Sequence, residues 1–343
     1  MFTMIQQAQR VTIKDVADVA GVSVATVSKV INGRYGVAAA TSERVMEIIS
    51  ELGYESSLVA RSLRSHRTNV IGILVAEFEP FSTQILQGVS NAIAATGFEL
   101  LAYSAGGDGS PAVGWEKRYL SRLSGTLIDG AILVTPTVLE VGQGTPVVAI
   151  DPHTGPGGIP TVDSDNLGGS IAATEHLINL GHRRIGFLSG RPDLESSRLR
   201  ESGFRHAMKK AGLEVDEDLI RVGSYRRESA EQPVHELLAL PNRPTAIFAA
   251  NDISAIATIE VAQSLGLHVP SDLSVIGFDN VPESALSSPP LTTVSQPIQQ
   301  MGTEALEMLI RIMNGTEGEV DHVEMPTQLI ERASTAPLKS ASN

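Results

Sequence analysis

Residues Thr12 to Arg64 read TIKDVADVAGVSVATVSKVINGRYGVAAATSERVMEIISELGYESSLVARSLR. Thr12, with Asp15 three residues on, has the chemistry of a helix start: a hydroxyl and a carboxylate for amides that the first turn leaves without partners. Val16, Ala17 and Ala20 then share one face, and Gly21 supplies the left-handed residue that ends the helix. Ser23 is placed to cap a second helix running from Val24 to about Ile31. Its residues Val27, Val30 and Ile31 face inward, which leaves Val24, Ala25, Thr26, Ser28 and Lys29 around the outer, N-terminal side. Two short helices across a glycine turn predict a helix-turn-helix, whose second helix lies in the major groove. The pairing alone is a weak signal. Small residues at the start of the second helix, where bulk would block insertion into the groove, strengthen it.

A third helix follows, expected to be capped by Thr41 or Ser42, with Val45, Met46, Ile48, Ile49 and Leu52 as its buried stripe and Gly53 as its stop. After Tyr54, the segment Ser57 to Arg64 reads as a short basic helix with Arg61 and Arg64 beside Leu63. Eight residues are marginal as an isolated helix in water, which suits an element that orders only on its target. Leucine is one of the side chains that wedge open a base step from the minor groove.

The run TIKDVA–x2–AGVSVATVSKVING, the AxxTxxRV spacing from Ala38 to Val45, ELGY and ARSLR together resemble the lactose/galactose repressor (LacI/GalR) family, and the likeness extends over almost the whole chain. The resemblance implies that Val24 and Ala25 read bases and that Leu63 inserts at the centre of a double-stranded, pseudo-palindromic operator. Thr12, Ser23, Thr26, Ser28, Lys29, Asn32, Tyr54, Ala60, Arg61 and Arg64 complete the expected DNA-contacting set. A homodimer is implied, because paired half-sites mirror two-fold symmetry. In one respect the chain departs from the pattern: many members have Pro and Asn where it has Ser56 and Ser57. Serine still serves as a cap for the hinge helix.

At 343 residues the chain predicts two or three domains with ample core. No run of 18 apolar residues occurs, so no membrane partner is expected. The lead MFTMIQQAQR lacks the apolar stretch of a signal peptide, and cysteine is absent; both agree with a cytoplasmic protein. Net charge is −13. Residues 1–68 carry eight Lys/Arg against six Asp/Glu, or +2, and the remainder eighteen against thirty-three, or −15. That asymmetry assigns phosphate contact to the N-terminal segment and argues against nucleic-acid binding by the body.

Outward from the opening stretch, SHRTN (65–69) is a polar joint, and VIGILV (70–75) begins an alternation of apolar strands and helices. Strand-like runs fall at 98–103, 130–134, 146–151, 184–189, 245–250 and 273–279, with helical segments at 84–95, 168–180, 198–211, 228–239 and 253–265. Unbroken apolar strands between helices indicate parallel sheets covered on both faces. Seven strands over about 210 residues suggest two doubly wound subdomains. Gln296 to Gly315 reads as one more helix, and 323–334 as a closing strand pair. His182, at a helix-to-strand turn, is read as structural. The ending resembles the family's L-I-x-R-x-S, carried here by Leu329, Ile330, Arg332 and Ser334.

The expected architecture is therefore an N-terminal all-α helix-turn-helix headpiece with a hinge helix, followed by an α/β periplasmic-binding-protein-like core of two doubly wound parallel-sheet subdomains. The headpiece is placed at 1–56, hinge and linker at 57–69, the core at 70–338 and a tail at 339–343. Within the core, one subdomain takes about 70–163 plus 298–325 and the other about 164–297 plus 326–338.

Ligands of open parallel sheets bind outside the carboxyl ends of the strands. Those ends carry Glu77 and Glu79, Asp151, Ser189, Asn251 with Asp252, and Asp279 with Asn280. Such acids and amides suit the vicinal hydroxyls of a sugar, whereas a phosphate would want cations and glycine-rich amides. The resemblance implies effector contacts from Arg200 in SxRLRxxGF, Asn251 in AND and Asp279 in GFDN. It further points to Asp151, Tyr225 and Gln296, with Phe81 as a second stacking surface. The expected effector is a sugar; a purine or nucleoside acting as co-repressor is the alternative, since some members use one. No catalytic residue, metal ligand or cofactor is expected: G-x-S-x-G, a P-loop and H-E-x-x-H are absent, and no G-x-G-x-x-G follows the first strand. A plain solute-binding protein would share the two-lobed body but would need no headpiece.

Overall fold

The computed structural model describes residues 11–31, 35–53, 67–106, 112–140, 144–316 and 322–338. They form two compact units, one of the residues up to Thr68 with Gly125–Leu127 and a body of Asn69–Ser124 with the residues from Ile128 onward.

The first unit holds α1 (Ile13–Ala20), α2 (Val24–Ile31) and α3 (Ala39–Leu52). Thr12 and Asp15 form a reciprocal capping box: the Thr12 amide donates to Asp15 Oδ2 at 2.7 Å, and the Asp15 amide donates to Thr12 Oγ1 at 3.4 Å. The bonds from Thr12 hold the Asp15 carboxyl below its ordinary range. Gly21, at φ 64°, returns its amide to the Ala17 and Asp18 carbonyls and ends α1. The core joins Val16, Ala17, Ala20, Val27, Val30, Val45 and Ile48. Arg44 locks α3 to the end of α1 by donating to the Ala20 carbonyl at 2.8 Å. Thr12→Val is expected to cost this unit about 1 kcal/mol, read as faster amide exchange in α1 of the full chain; unchanged exchange would show that the box contributes nothing.

Two details of α3 differ from expectation. It begins at Ala39 and takes no side-chain cap from Thr41 or Ser42, because Ala38, Ala39 and Ala40 let the helix start a turn earlier. Met46 is 52% exposed, since it points away from the stripe that Val45 and Ile48 bury. Asn32, Tyr54, Ala60, Arg61, Leu63, Arg64 and the whole hinge segment lie outside the described residues.

The body contains two six-stranded sheets. In the first lobe the strands are β1 (Val70–Val75), β2 (Glu99–Ser104), β3 (Gly130–Val134), β4 (Val147–Ile150), β5 (Thr161–Ser164) and β11 (His322–Met325), in the order β11-β5-β4-β3-β1-β2, all parallel. The second lobe orders β12 (Gln328–Ile330), β10 (Thr292–Ser295), β9 (Ser274–Asp279), β8 (Ala246–Ala249), β6 (Ile185–Ser189) and β7 (Ile220–Val222). Only the β10–β12 pair in it is antiparallel. The inner strands β1, β3, β4, β6, β8 and β9 are buried along their whole length, as near-continuous apolar runs require. The chain passes between the sheets three times: after β5, after β10 and between β11 and β12. The two closing strands join different sheets: Pro326 and Thr327 carry the chain across before the second begins.

In the first lobe α4 (Pro80–Ile93) and α11 (Ile298–Met313) pack on the sheet through Ile85, Val89, Met301, Leu306 and Leu309. They cross through glycines: a Cβ on Gly88 would collide with the Gln299 backbone, and one on Gly302 with the Ile85 carbonyl. In the second lobe alternate residues of one strand feed opposite cores. Phe187, Phe248 and Phe278 face one side with Phe204, and Leu188, Ile247 and Val275 the other. His182 is structural as expected, its ring bonded to Thr245 Oγ1 at 2.9 Å and to Ser274 Oγ at 3.1 Å.

Candidate functional site

On the first unit, α2 presents Ser23, Val24, Ala25 and Lys29 to solvent, with Val24 40% exposed and Thr26 and Ser28 half-buried. Ser23 is the cap: its Oγ accepts from the Thr26 amide at 3.1 Å and meets Thr26 Oγ1 at 2.9 Å. The two hydroxyls therefore hold the helix start, and the exposed small side chains are Val24 and Ala25.

In the body, the carboxyl ends of both sheets open onto one cleft of about 380 Å³. Among its walls are Glu79, Phe81, Asp151, Ser196, Arg200, Tyr225, Asn251 and Asp279. Asp151 follows β4, Arg200 lies on α7 (Glu195–Lys210), Tyr225 precedes α8 (Arg227–Leu238), Asn251 caps α9 (Asp252–Ser264), and Asp279 ends β9. Five wall residues without the freedom of glycine sit at positive φ: Thr135 (47°), Asp151 (47°), Ser224 (55°), Tyr225 (65°) and Asp279 (112°). Such residues cost roughly 1–3 kcal/mol each and gather where function over-determines the backbone.

Arg200 organises the floor. It is 4% exposed, donates from Nε to Asn166 Oδ1 at 2.9 Å and from Nη1 to Asp279 Oδ1 at 3.2 Å, and also bonds the Ala250 carbonyl. Its guanidinium lies 3.8 Å from the Phe278 ring centroid and 5.7 Å from that of Tyr225. The Tyr225 ring in turn covers Gly190, where any Cβ would strike it. Opposite, Asp151 Oδ2 accepts from Ser196 Oγ at 3.0 Å.

Burial pushes the Asp279 carboxyl up to about 7, although Arg200 pulls against it, and pushes Asp151 up to about 6. In the unfolded chain such groups titrate near 3.9. The folded state therefore holds extra protons between about pH 4 and 7, and the stability these acids contribute is complete below about pH 4 and lost as pH rises through 6 and 7. The core is expected to melt higher at pH 5.5 than at pH 8. Asp151→Asn with Asp279→Asn should flatten that slope, and an equal slope in the double variant would contradict the assignment.

Besides the Ser196–Asp151 bond, further contacts bridge the cleft. Arg226 pairs with Glu77, and His153 Nδ1 lies 3.2 Å from Asp193 Oδ2, while Arg198 Nη2 donates to the His153 carbonyl at 3.1 Å. Burial holds the His153 imidazole below its ordinary value.

Of the residues expected at the effector site, Phe81, Asp151, Arg200, Tyr225, Asn251 and Asp279 come together in the cleft; Gln296 does not. Gln296 is buried and does not line it, accepting from Ser164 Oγ at 2.5 Å and donating to Asp279 Oδ1 at 2.6 Å, so its amide ties the crossover to the acid. Asn251 lines the wall, but its side chain caps α9 through the Ser254 amide and holds the Tyr225 carbonyl at 3.2 Å. Ser196 and His153 join the walls without having been foreseen. Ser196 is the first residue of the SxRLR run, on the opening turn of α7, and His153 lies two residues beyond the strand-end Asp151.

A model of the bacterial regulatory proteins of the lacI family matches residues 12–57, and one of the periplasmic binding protein-like domain matches 174–335. The chain is 38% identical over 340 residues to an HTH-type transcriptional repressor PurR of Aliivibrio salmonicida (strain LFI1238), covering 95% of this chain and 99% of that one. It is 34% identical over 341 residues to the HTH-type transcriptional regulator DegA of Bacillus subtilis (strain 168), covering 96% and 100%. Among solved structures, the lac repressor dimer bound to operator and the anti-inducer ONPF superposes with a TM-score of 0.82 at 26% identity, over 96% of this chain and all of that one. A transcriptional regulator CelR–cellobiose complex does so with a TM-score of 0.71 at 33% identity, over 95% and 100%.

Proposed function

The chain belongs to the lacI family of bacterial regulatory proteins, and we propose on that premise that it represses carbohydrate-utilisation genes under the control of a sugar bound in the inter-lobe cleft. It is a DNA-binding transcriptional repressor with an effector-binding core. The observation that carries the sugar reading is the facing pair of strand-end carboxylates, Asp151 and Asp279, flanking the buried Arg200 fork. Acceptors and planar donors lining one cleft suit the hydroxyls of a sugar, and Tyr225 and Phe81 offer aromatic rings to its apolar side. The cellobiose complex of a 33% identical relative supports the same chemistry.

In this reading the headpiece spans 1–56, the hinge 57–69 and the sensor 70–338. Val24 and Ala25 meet base edges in the major groove, Lys29 meets phosphate or guanine, and two copies read the two halves of an operator. Leu63, Arg61 and Arg64 act at the minor groove when their short helix orders. Effector binding alters the bridged cleft, at Glu77–Arg226 and His153–Asp193, and so the separation of the two headpieces. Whatever its sign, such coupling is reciprocal: a ligand that weakens operator binding is itself bound more weakly on the operator. We place the protein in the cytoplasm, where its DNA is; among the described residues no helix is long and apolar enough to cross a membrane. Its relatives are transcriptional regulators, and we assign it no enzymatic role.

A purine nucleobase is the second reading, favoured by the Tyr225 and Phe81 rings beside an Arg–Asp pair that can hydrogen-bond a base edge. The test is a thermal-shift screen of the full chain against mono- and disaccharides, nucleobases and nucleosides. A sugar should raise the melting point and change operator affinity in a mobility-shift assay. A nucleobase response alone would replace the first reading with the second. Operator binding indifferent to every cleft ligand would end both.

A further inference from the structure

The wall of the cleft contributed by α4 contains an acid that the hydroxyl-binding set does not use. Glu79 is the N-cap of α4, a 14-residue helix, and its carboxylate accepts from the Phe81 and Ser82 amides, each at 2.8 Å. Ser82 returns the bond, its Oγ accepting from the Glu79 amide at 3.0 Å. The free amides of a helix start are where an anionic ligand would sit. Here a side chain already fills that place, inside the cleft.

The cations around the cleft are likewise taken. Arg200 is committed to Asp279, Arg226 to Glu77, Arg191 to Asp193 and Arg227 to Glu260. Glu79 and Asp151 both line the cleft and take their hydrogen bonds from amides and a hydroxyl, not from any arginine or lysine. An anion entering this space meets two carboxylates with no cation bonded to them, and among the described wall residues every arginine already holds an acid.

We propose that Glu79 sets the charge of the effector: by filling the amide cradle of α4 with its own carboxylate it admits uncharged or cationic hydroxyl-bearing ligands and rejects phosphorylated or carboxylated ones. This rests on the effector reading of the cleft and narrows it. A sugar reaches the site before any kinase has acted on it, so the regulator reports the unphosphorylated compound.

The test uses the full chain with inorganic phosphate and D-glucose 6-phosphate as probes, at constant ionic strength. Glu79→Ser keeps a preferred N-cap with one hydroxyl in place of two carboxylate oxygens, so it removes the charge and frees one of the two amides that Glu79 fills, and Glu79→Gln checks the charge in a near-isosteric side chain. By calorimetry, Glu79→Ser should bind phosphate at least about tenfold more tightly than wild type, whose affinity for both probes should be weak. Adding Asp151→Asn should tighten it again. Wild-type binding of the sugar phosphate as tight as that of Glu79→Ser would overturn the charge assignment and leave the cleft as effector site. Failure of both Glu79 variants to gain affinity would also overturn it. A gain in Glu79→Ser that Asp151→Asn leaves untouched would put the phosphate outside the cleft and overturn the charge assignment, whereas the effector reading falls only if no cleft ligand alters operator binding.

Discussion

Arg200→Ala is expected to abolish every effector response and to lower the stability of the core by about 3–5 kcal/mol, the usual cost of removing one partner of a buried pair. Several groups lose their partner at once. Asp279 is 6% exposed and loses the cation paired with it, and the Ala250 carbonyl and Asn166 Oδ1 lose a donor each. The guanidinium also covers Phe278, so the truncation opens space at the end of the aromatic core. Arg200→Lys should rescue little, since an ammonium cannot reproduce a planar fork that bonds in three directions and stacks on a ring. Changing Arg200 to Met and Asp279 to Leu together should be milder for stability than Arg200→Ala, because no charge is left stranded, yet equally dead to ligand. Denaturant midpoints and the thermal-shift panel read these two effects separately. A full ligand response in Arg200→Ala would remove the residue from the site.

The second large effect belongs to α2. Replacing Val24 and Ala25 together with a larger polar pair is expected to weaken binding to the native operator by about 30- to 10⁴-fold, taking roughly 1–3 kcal/mol for each base-edge interaction removed. Binding to random duplex should change little, because phosphates supply it. Lys29→Ala gives the contrasting signature: weaker binding to every sequence and a salt dependence shallower by about one unit. Anisotropy titrations over a range of salt, on selected and scrambled duplexes, distinguish the two. Equal losses on both duplexes for the Val24/Ala25 variant would show that these side chains carry no sequence information.

The contrast between what the residues foretold and what they hid follows from chemistry. The headpiece was legible because its punctuation is unambiguous: Thr12 with Asp15, Gly21 at φ 64° and Ser23 each have one local job. Inner strands such as GAILV were legible because burial on both faces leaves no room for polar residues. The strands TVDS and TTVS were not foreseen, because their threonines and serines are satisfied by tertiary bonds that spacing does not reveal, as Thr293 Oγ1 is by Asp252. In the cleft, strand-end position brought Asp151 and Asp279 together. Gln296, expected from the family resemblance and not from position, is instead buried beside Ser164 and Asp279, to both of which it is hydrogen-bonded. Whether an amide faces a ligand or its own scaffold depends on what the chain brings beside it from 132 residues away.

The last crossing of the chain also sets an order of manufacture. The second sheet lacks its edge until β12 pairs with β10 and until Ser334 accepts from the Thr292 amide and donates to the Val275 carbonyl. The headpiece closes its own small core from residues 16–48 alone. At roughly 5–20 residues per second, tens of seconds of translation separate the two events. During that interval the nascent polypeptide carries a finished reader with no receptor behind it, tethered to the ribosome that is still making the part that governs it.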